Sequence, residues 1–193
     1  MSTLAITIII ISSLAYAWLS RMCGGAPPKL PFGLDQWLYA IPYGVVGFLT
    51  GGYIWAAVAY ATAFIGKRTG HGQYFDLGLN KIPPGDNVEK VDFIVRLLYG
   101  KDEGGNFWRD LFGLTLTGVL VSIGAGVGLI FNSHYILGAV ILLTGAAKGL
   151  AYVIGHKLPT IPIPWFDEAT AVGELLTGLF AGLGLAFTII TLL

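Results

Sequence analysis

Polar and apolar positions in this chain fall into long blocks, not into the two-residue alternation of strands. A bilayer core about 30 Å thick takes about 20 apolar residues at a rise of 1.5 Å each. Five blocks approach or exceed that measure, near 2–19, 37–65, 111–131, 135–154 and 170–193. The pattern predicts an all-α protein: a polytopic transmembrane helical bundle with about five spans, in one domain over residues 1–193.

The first block imitates a secretory signal, with Ala15-Tyr16-Ala17 as an A-x-A site. No basic residue precedes the apolar run, so it reads as the first membrane helix. The second block is longer than one span requires and holds Pro42 and the Gly51-Gly52 pair. Because proline removes a donor that lipid cannot replace, a short lead-in before Pro42 and then the span is expected. Only Asn132-Ser133-His134 separates the third and fourth blocks, which forces a tight antiparallel hairpin.

Five spans put the two termini on opposite sides. Lys67, Arg68, Lys81, Lys90, Arg96, Lys101 and Arg109 fall in or beside the connection 66–110, with Lys157 on the same side. Arg21 and Lys29 stand opposite. The positive-inside rule then places the N-terminus and both longer loops in the cytoplasm, in the inner membrane of a cell. Arg21, directly after the first helix, favours the reverse by itself, and the larger count prevails. Trp18, Trp37, Tyr39, Tyr43, Phe107, Trp108, Tyr135 and Trp165 fall at or just beyond block ends, as an interfacial aromatic belt would.

Within the connection, Asp86-Asn87-Val88-Glu89 fits a capping box and Gly100 a helix stop, which frames an interfacial helix over 87–99. Val91, Ile94, Val95 and Leu98 make its apolar face, suited to a membrane surface or, alternatively, a partner protein. The connection 156–165 carries Pro159, Pro162 and Pro164, which stiffen it into a strap.

Composition narrows the function classes. Of 193 residues, 55% are hydrophobic and 11% charged, with a mean hydropathy of +0.74, against about 25% charged in soluble domains. A freely soluble protein is excluded. Eleven basic residues cancel eleven acidic ones, so no field attracts nucleic acid, and none is expected as a partner. One cysteine, Cys23, and three scattered histidines make neither a disulfide nor a zinc site. No metal and no cofactor is expected. Arg21-Met22 before Cys23 is also unlike a lipid-attachment site.

Three sets of residues are candidates for chemistry. In Gly66–Asp76, the cations Lys67 and Arg68 with Gly70 and Gly72 suit an anion or lipid-headgroup cradle. It is not a phosphate-binding Walker loop, which needs glycine at Ala61 and Ser or Thr at Arg68. The plainer reading is a basic flank that fixes the second span. His71 and Asp76 are an alternative catalytic pair, base and orienter, but no nucleophile accompanies them. Lys148 and Glu174 are the charges inside predicted spans. Their depths match at about 6 to 9 Å, which suits a structural ion pair or an ion or proton relay. Lastly, the steps Gly47 to Gly51, Gly124 to Gly128, Gly145 to Gly149 and Gly178 to Gly182 suit close helix packing.

The run Gly70-His71-Gly72-Gln73-Tyr74-Phe75-Asp76-Leu77-Gly78, with Phe107-Trp108-Arg109-Asp110 and Glu168-Ala169-Thr170-Ala171-Val172-Gly173-Glu174, resembles small uncharacterised membrane proteins encoded by tailed bacteriophages. The resemblance implies a bacterial cytoplasmic membrane and transfers no catalytic residues. The expected function is a non-enzymatic, oligomeric part of a transport, channel or membrane-remodelling assembly acting at the host membrane. Two alternatives stand beside it: a membrane enzyme using the 66–76 segment on a phosphorylated or lipid-linked substrate, and a structural subunit of a larger membrane complex.

Overall fold

The structure, a computed structural model, describes residues 2–23, 30–31, 34–76, 107–157 and 169–193, with the side chains of 68–76, 107–113, 152–153, 155–157 and 169–171 left aside. The expected interfacial helix 87–99 and the proline strap lie outside the described residues. Five helical elements follow one another: α1 (Thr3–Cys23), α2 (Leu34–Asp76), α3 (Phe107–Phe131), α4 (Tyr135–Lys157) and α5 (Ala169–Leu192). The all-α bundle is as the block pattern predicts.

The second element departs from expectation. Its backbone leaves helical geometry at Gly51 (φ −155°, ψ 25°) and Gly52 (φ 76°, ψ −159°). The second of these angle pairs is open essentially to glycine alone. Two arms, 34–50 and 53–76, fold back on each other there. Trp37 and Phe64 would stand about 40 Å apart on a straight helix, yet their rings are 4.4 Å apart. Gly47 lets the Trp55 backbone approach where a side chain would block it, and the Tyr60 hydroxyl donates to the Trp37 carbonyl at 3.3 Å. Pro42 does not end the first arm.

The chain therefore runs six times between two ends, and the expectation of termini on opposite sides is corrected. The Thr3 end of α1 and the Leu192 end of α5 lie together, because α1 packs antiparallel on α5: Gly182 meets Ser13, and Gly178 meets Ala17 and Ser20. This end, called distal below, also holds the Gly51-Gly52 turn and the α3–α4 turn. The latter closes with His134 N–H donating to the Leu129 carbonyl and Ser133 N–H to that of Ile130, with Ser133 at φ 67°. That is a Schellman cap with serine in the usual glycine position. The other end, called proximal, is where the three long connections attach.

Packing is inverted relative to a soluble domain. Large apolar side chains such as Ile11, Ile54 and Leu143 face outward, while Ala40, Ala59, Ala63, Ala125, Ser13, Ser122 and Thr188 fill the interior. Lipid solvates the exterior, and small residues let helices approach. Seven of the eight glycines singled out by sequence meet a neighbouring helix or arm, or in the case of Gly51 the Trp55 ring, closely enough to exclude a side chain. Gly149 is buried beside Lys148. Four stretches among the described residues are long and apolar enough to cross a membrane: Thr3–Cys23, Leu34–Lys67, Leu114–Phe131 and Val172–Leu192.

Candidate functional site

Most interior hydroxyls answer their own helix. Ser13 donates to the Ile9 carbonyl (2.6 Å), Thr177 to Gly173 (2.8 Å) and Thr144 to Val140 (2.8 Å). Each satisfies itself without reaching a neighbour. Ser20 does otherwise, and it marks the site.

At the proximal third of the bundle, the Lys67 ammonium meets Glu174 Oε2 at 3.1 Å, with the two side chains 1% and 3% exposed. Ser20 donates to the same carboxylate oxygen at 3.1 Å and accepts from Lys67 at 3.2 Å. Lys67 also stands over the Tyr39 ring, 4.5 Å from its centroid, a cation–π contact that gains strength away from water. Tyr16 stacks on Tyr39 at 4.6 Å and donates to the Tyr39 carbonyl at 2.6 Å. One triangle of polar atoms thus ties together α1, α2 and α5.

Local sequence explains how each member arrives. Ser20 lies one turn before the end of α1, on the side that carries Ser13, Tyr16 and Ala17 toward α5. Gly178, one turn beyond Glu174, keeps α1 and α5 close enough for a short serine to reach the carboxylate. Gly66 packs on the backbone of Val121 and brings α2 against α3 just where Lys67 must turn inward. The back-fold at Gly51-Gly52 then returns Lys67 to the level of Tyr39 and Tyr43.

Lys148, 3% exposed, joins from α4. It and Lys67 line a cavity of about 10 Å³, together with Tyr39, Tyr43, Thr144 and Thr177. That is room for about one water molecule. The sequence placed Lys148 and Glu174 at one depth, and the structure brings both to this cluster. The 3.1 Å ion pair to Glu174, however, comes from Lys67, which sequence had assigned to a loop. Tyr39 and Tyr43, expected in the interfacial belt, are 2% and 1% exposed. They are interior because the cluster needs their rings, whereas Trp37 and Tyr135 do face outward.

The glycine-rich cradle is also corrected. Helix α2 continues through Asp76, so the backbone amides of Gly70 and Gly72 are used within the helix, and no loop nest forms from them. The side chains of Arg68, His71 and Asp76 lie outside those described. Among the described residues no group of three or more His, Cys, Asp or Glu is placed to hold a metal ion.

Fold and site together define the class: a helical membrane protein with an ion-paired cluster buried in its proximal third. The chain matches no protein family, no curated protein and no solved structure.

Proposed function

We propose that the chain is an integral membrane protein that works, without catalysis of its own, in a transport, channel or membrane-remodelling assembly. Its working site is the cluster of Ser20, Lys67, Lys148 and Glu174. The observation that carries the reading is the Lys67–Glu174 pair, 3.1 Å apart and nearly inaccessible. Charges in a bilayer-embedded bundle cost about 2.5–3.5 kcal/mol each even on insertion scales, and pathways for ions and protons are where they concentrate.

Beyond the cavity, the distal core is closed by Val46, Leu129, Ile141 and Leu185. A polar route that uses the cluster therefore continues between copies beyond the cavity, which favours the homo-oligomer. The phage setting would place that assembly in a bacterial inner membrane.

The proximal end faces the cytoplasm in this reading. Apart from Lys67 and Lys148 in the cluster, every Lys and Arg lies beyond the cluster toward that end or in the connections that join helix ends there. Both termini then lie outside, where five crossings would put the C-terminus but not the N-terminus, and Arg21 agrees with the other cations. Reporter fusions at the two ends should both report the external face; a split result would overturn the orientation.

The decisive test is flux. Purified protein in liposomes should dissipate an ion or proton gradient, and Glu174→Gln should abolish this in the fraction that still folds, compared at equal amounts of folded protein. Liposomes that stay tight under every gradient would sink the transport form.

The closed distal core also favours a second reading, a membrane enzyme with a one-sided site for a lipid-linked substrate. Turnover that depends on Lys148, in a protein without flux, would select it.

A further inference from the structure

Thr144 borders two concavities. One is the polar cavity of Lys67 and Lys148. The other, of about 360 Å³, runs from Thr144 toward the distal end between α1 and α4, over α5. Ile6, Ile10, Val140, Leu183 and Phe187 line it, and the surface it presents is apolar. Helices α1 and α4 each pack on α5 and leave this furrow between them. The Thr144 side chain fills the notch over Gly184 and so forms the partition between furrow and cavity. Lys148 follows Thr144 by one helical turn on the same face of α4.

We propose that the two concavities form one binding site for a fatty acid: the acyl chain lies in the furrow, and the carboxylate meets Lys148 once the Thr144 side chain turns out of the Gly184 notch and enlarges a cavity that otherwise has room for about one water molecule. Several observations select this ligand. The furrow's apolar lining suits a hydrocarbon chain and offers nothing to a polar solute.

Charge complementarity fixes the head. Lys67 and Lys148 line the polar side, and an ammonium carries three donors, so an incoming carboxylate adds to existing contacts. Depth fixes its size. Lys148 is nine residues, about 14 Å, inside the proximal end of α4, beyond the reach of a bulky phospholipid headgroup held at the interface. The direction agrees as well, with head proximal and tail distal, as for a lipid of the proximal leaflet. The proposal rests on the cluster being a working site and not on flux through it.

The test is binding of radiolabelled hexadecanoate to the full chain in nanodiscs of zwitterionic phosphatidylcholine. One saturable site is expected. Lys148→Met should weaken it about tenfold or more, the loss of a charge-assisted hydrogen bond, and Lys148→Arg should retain it.

Ile10→Trp should block the furrow from its lipid side, while Leu14→Trp, on α1 outside the furrow, should leave binding intact. Hexadecanoate methyl ester should compete poorly. Equal competition by the ester, or unchanged binding in both Lys148→Met and Ile10→Trp, would overturn the proposal and reduce the furrow to ordinary bilayer contact. Competition by phosphatidylglycerol equal to that by the acid would overturn the choice of carboxylate. If Lys148→Met does not fold, Ile10→Trp and the ester still decide. Saturable binding without flux would keep this proposal and reject the transport reading.

Discussion

The two halves of the bundle hold together by different means. In the distal half, Gly124 lies on the backbone of Ala59 and Val58, and the interior is Val46, Leu129, Ile141 and Leu185 with hydroxyls that, Thr188 apart, answer their own helix. In the proximal half, Lys67, Glu174, Ser20 and Tyr39 join three helices through charge and hydrogen bonds. Shape sets the distal contacts, where dispersion between close backbones is the main attraction available in lipid. Charge sets the proximal ones, where each partner is stable only because the other is present. A perturbation should therefore act by pairwise rescue at one end and by steric volume at the other.

The largest effect is expected from Lys67→Met. It takes away the ammonium 3.1 Å from Glu174, and losing one partner of a buried pair typically costs about 3–5 kcal/mol. The double variant Lys67→Met with Glu174→Met should recover most of that loss, since a matched apolar pair often equals a buried ion pair. Thermal unfolding in detergent across the four-member cycle measures the coupling. Additive losses would show that the proximal half is held by shape after all.

Volume is the corresponding probe of the distal half. Gly124→Val should cost toward the upper end of about 1–3 kcal/mol, because the added atoms meet the Ala59 Cα and the Val58 carbonyl, neither of which can yield without moving a helix. No charge change elsewhere should rescue it. Rescue by Thr62→Ala alone would mean that the contact is with that side chain, not with the backbone.

These contrasts also explain what was legible in the sequence. Helix boundaries were, to within a few residues except at the end of α2, because bilayer thickness imposes one length on every apolar block. That Lys148 and Glu174 belong to one cluster is legible from counting residues to the predicted ends at 154 and 170, although α4 runs on to Lys157. The back-fold was not, since Thr50-Gly51-Gly52-Tyr53 carries no charge and hydropathy does not fall there. The available signal was length: 37–65 spans about 43 Å as one helix, against a core of about 30 Å. Without the turn, the pattern puts Lys67 in a loop, Tyr39 and Tyr43 in the interface, and the start of α1 at the same end of the bundle as the long connections.

A smaller effect tests the turn itself. A methyl at Gly52 meets nothing within 4 Å, so Gly52→Ala isolates the cost of holding φ 76° and ψ −159° with a side chain, about 2 kcal/mol. Detergent thermal stability should fall by that amount. No change would mean that the two arms tolerate another turn geometry, and the register of Lys67 would rest on packing alone.

The smallest effect has the opposite sign. Thr188 on α5 is 0% exposed, and its hydroxyl has no hydrogen-bond partner among the described residues. Thr177 and Thr191 on the same helix each donate to the carbonyl four residues back at 2.8 Å. A buried hydroxyl left unsatisfied costs about 1–3 kcal/mol, whereas valine has nearly the same shape and no donor to satisfy. Thr188→Val should therefore be neutral or stabilising by about 1 kcal/mol on the same thermal assay. A loss of stability would mean that the hydroxyl is hydrated in the bilayer, which requires water to reach the distal core. In that case the dry and polar halves would be continuous, and the route for ions would lie within one chain and not between copies.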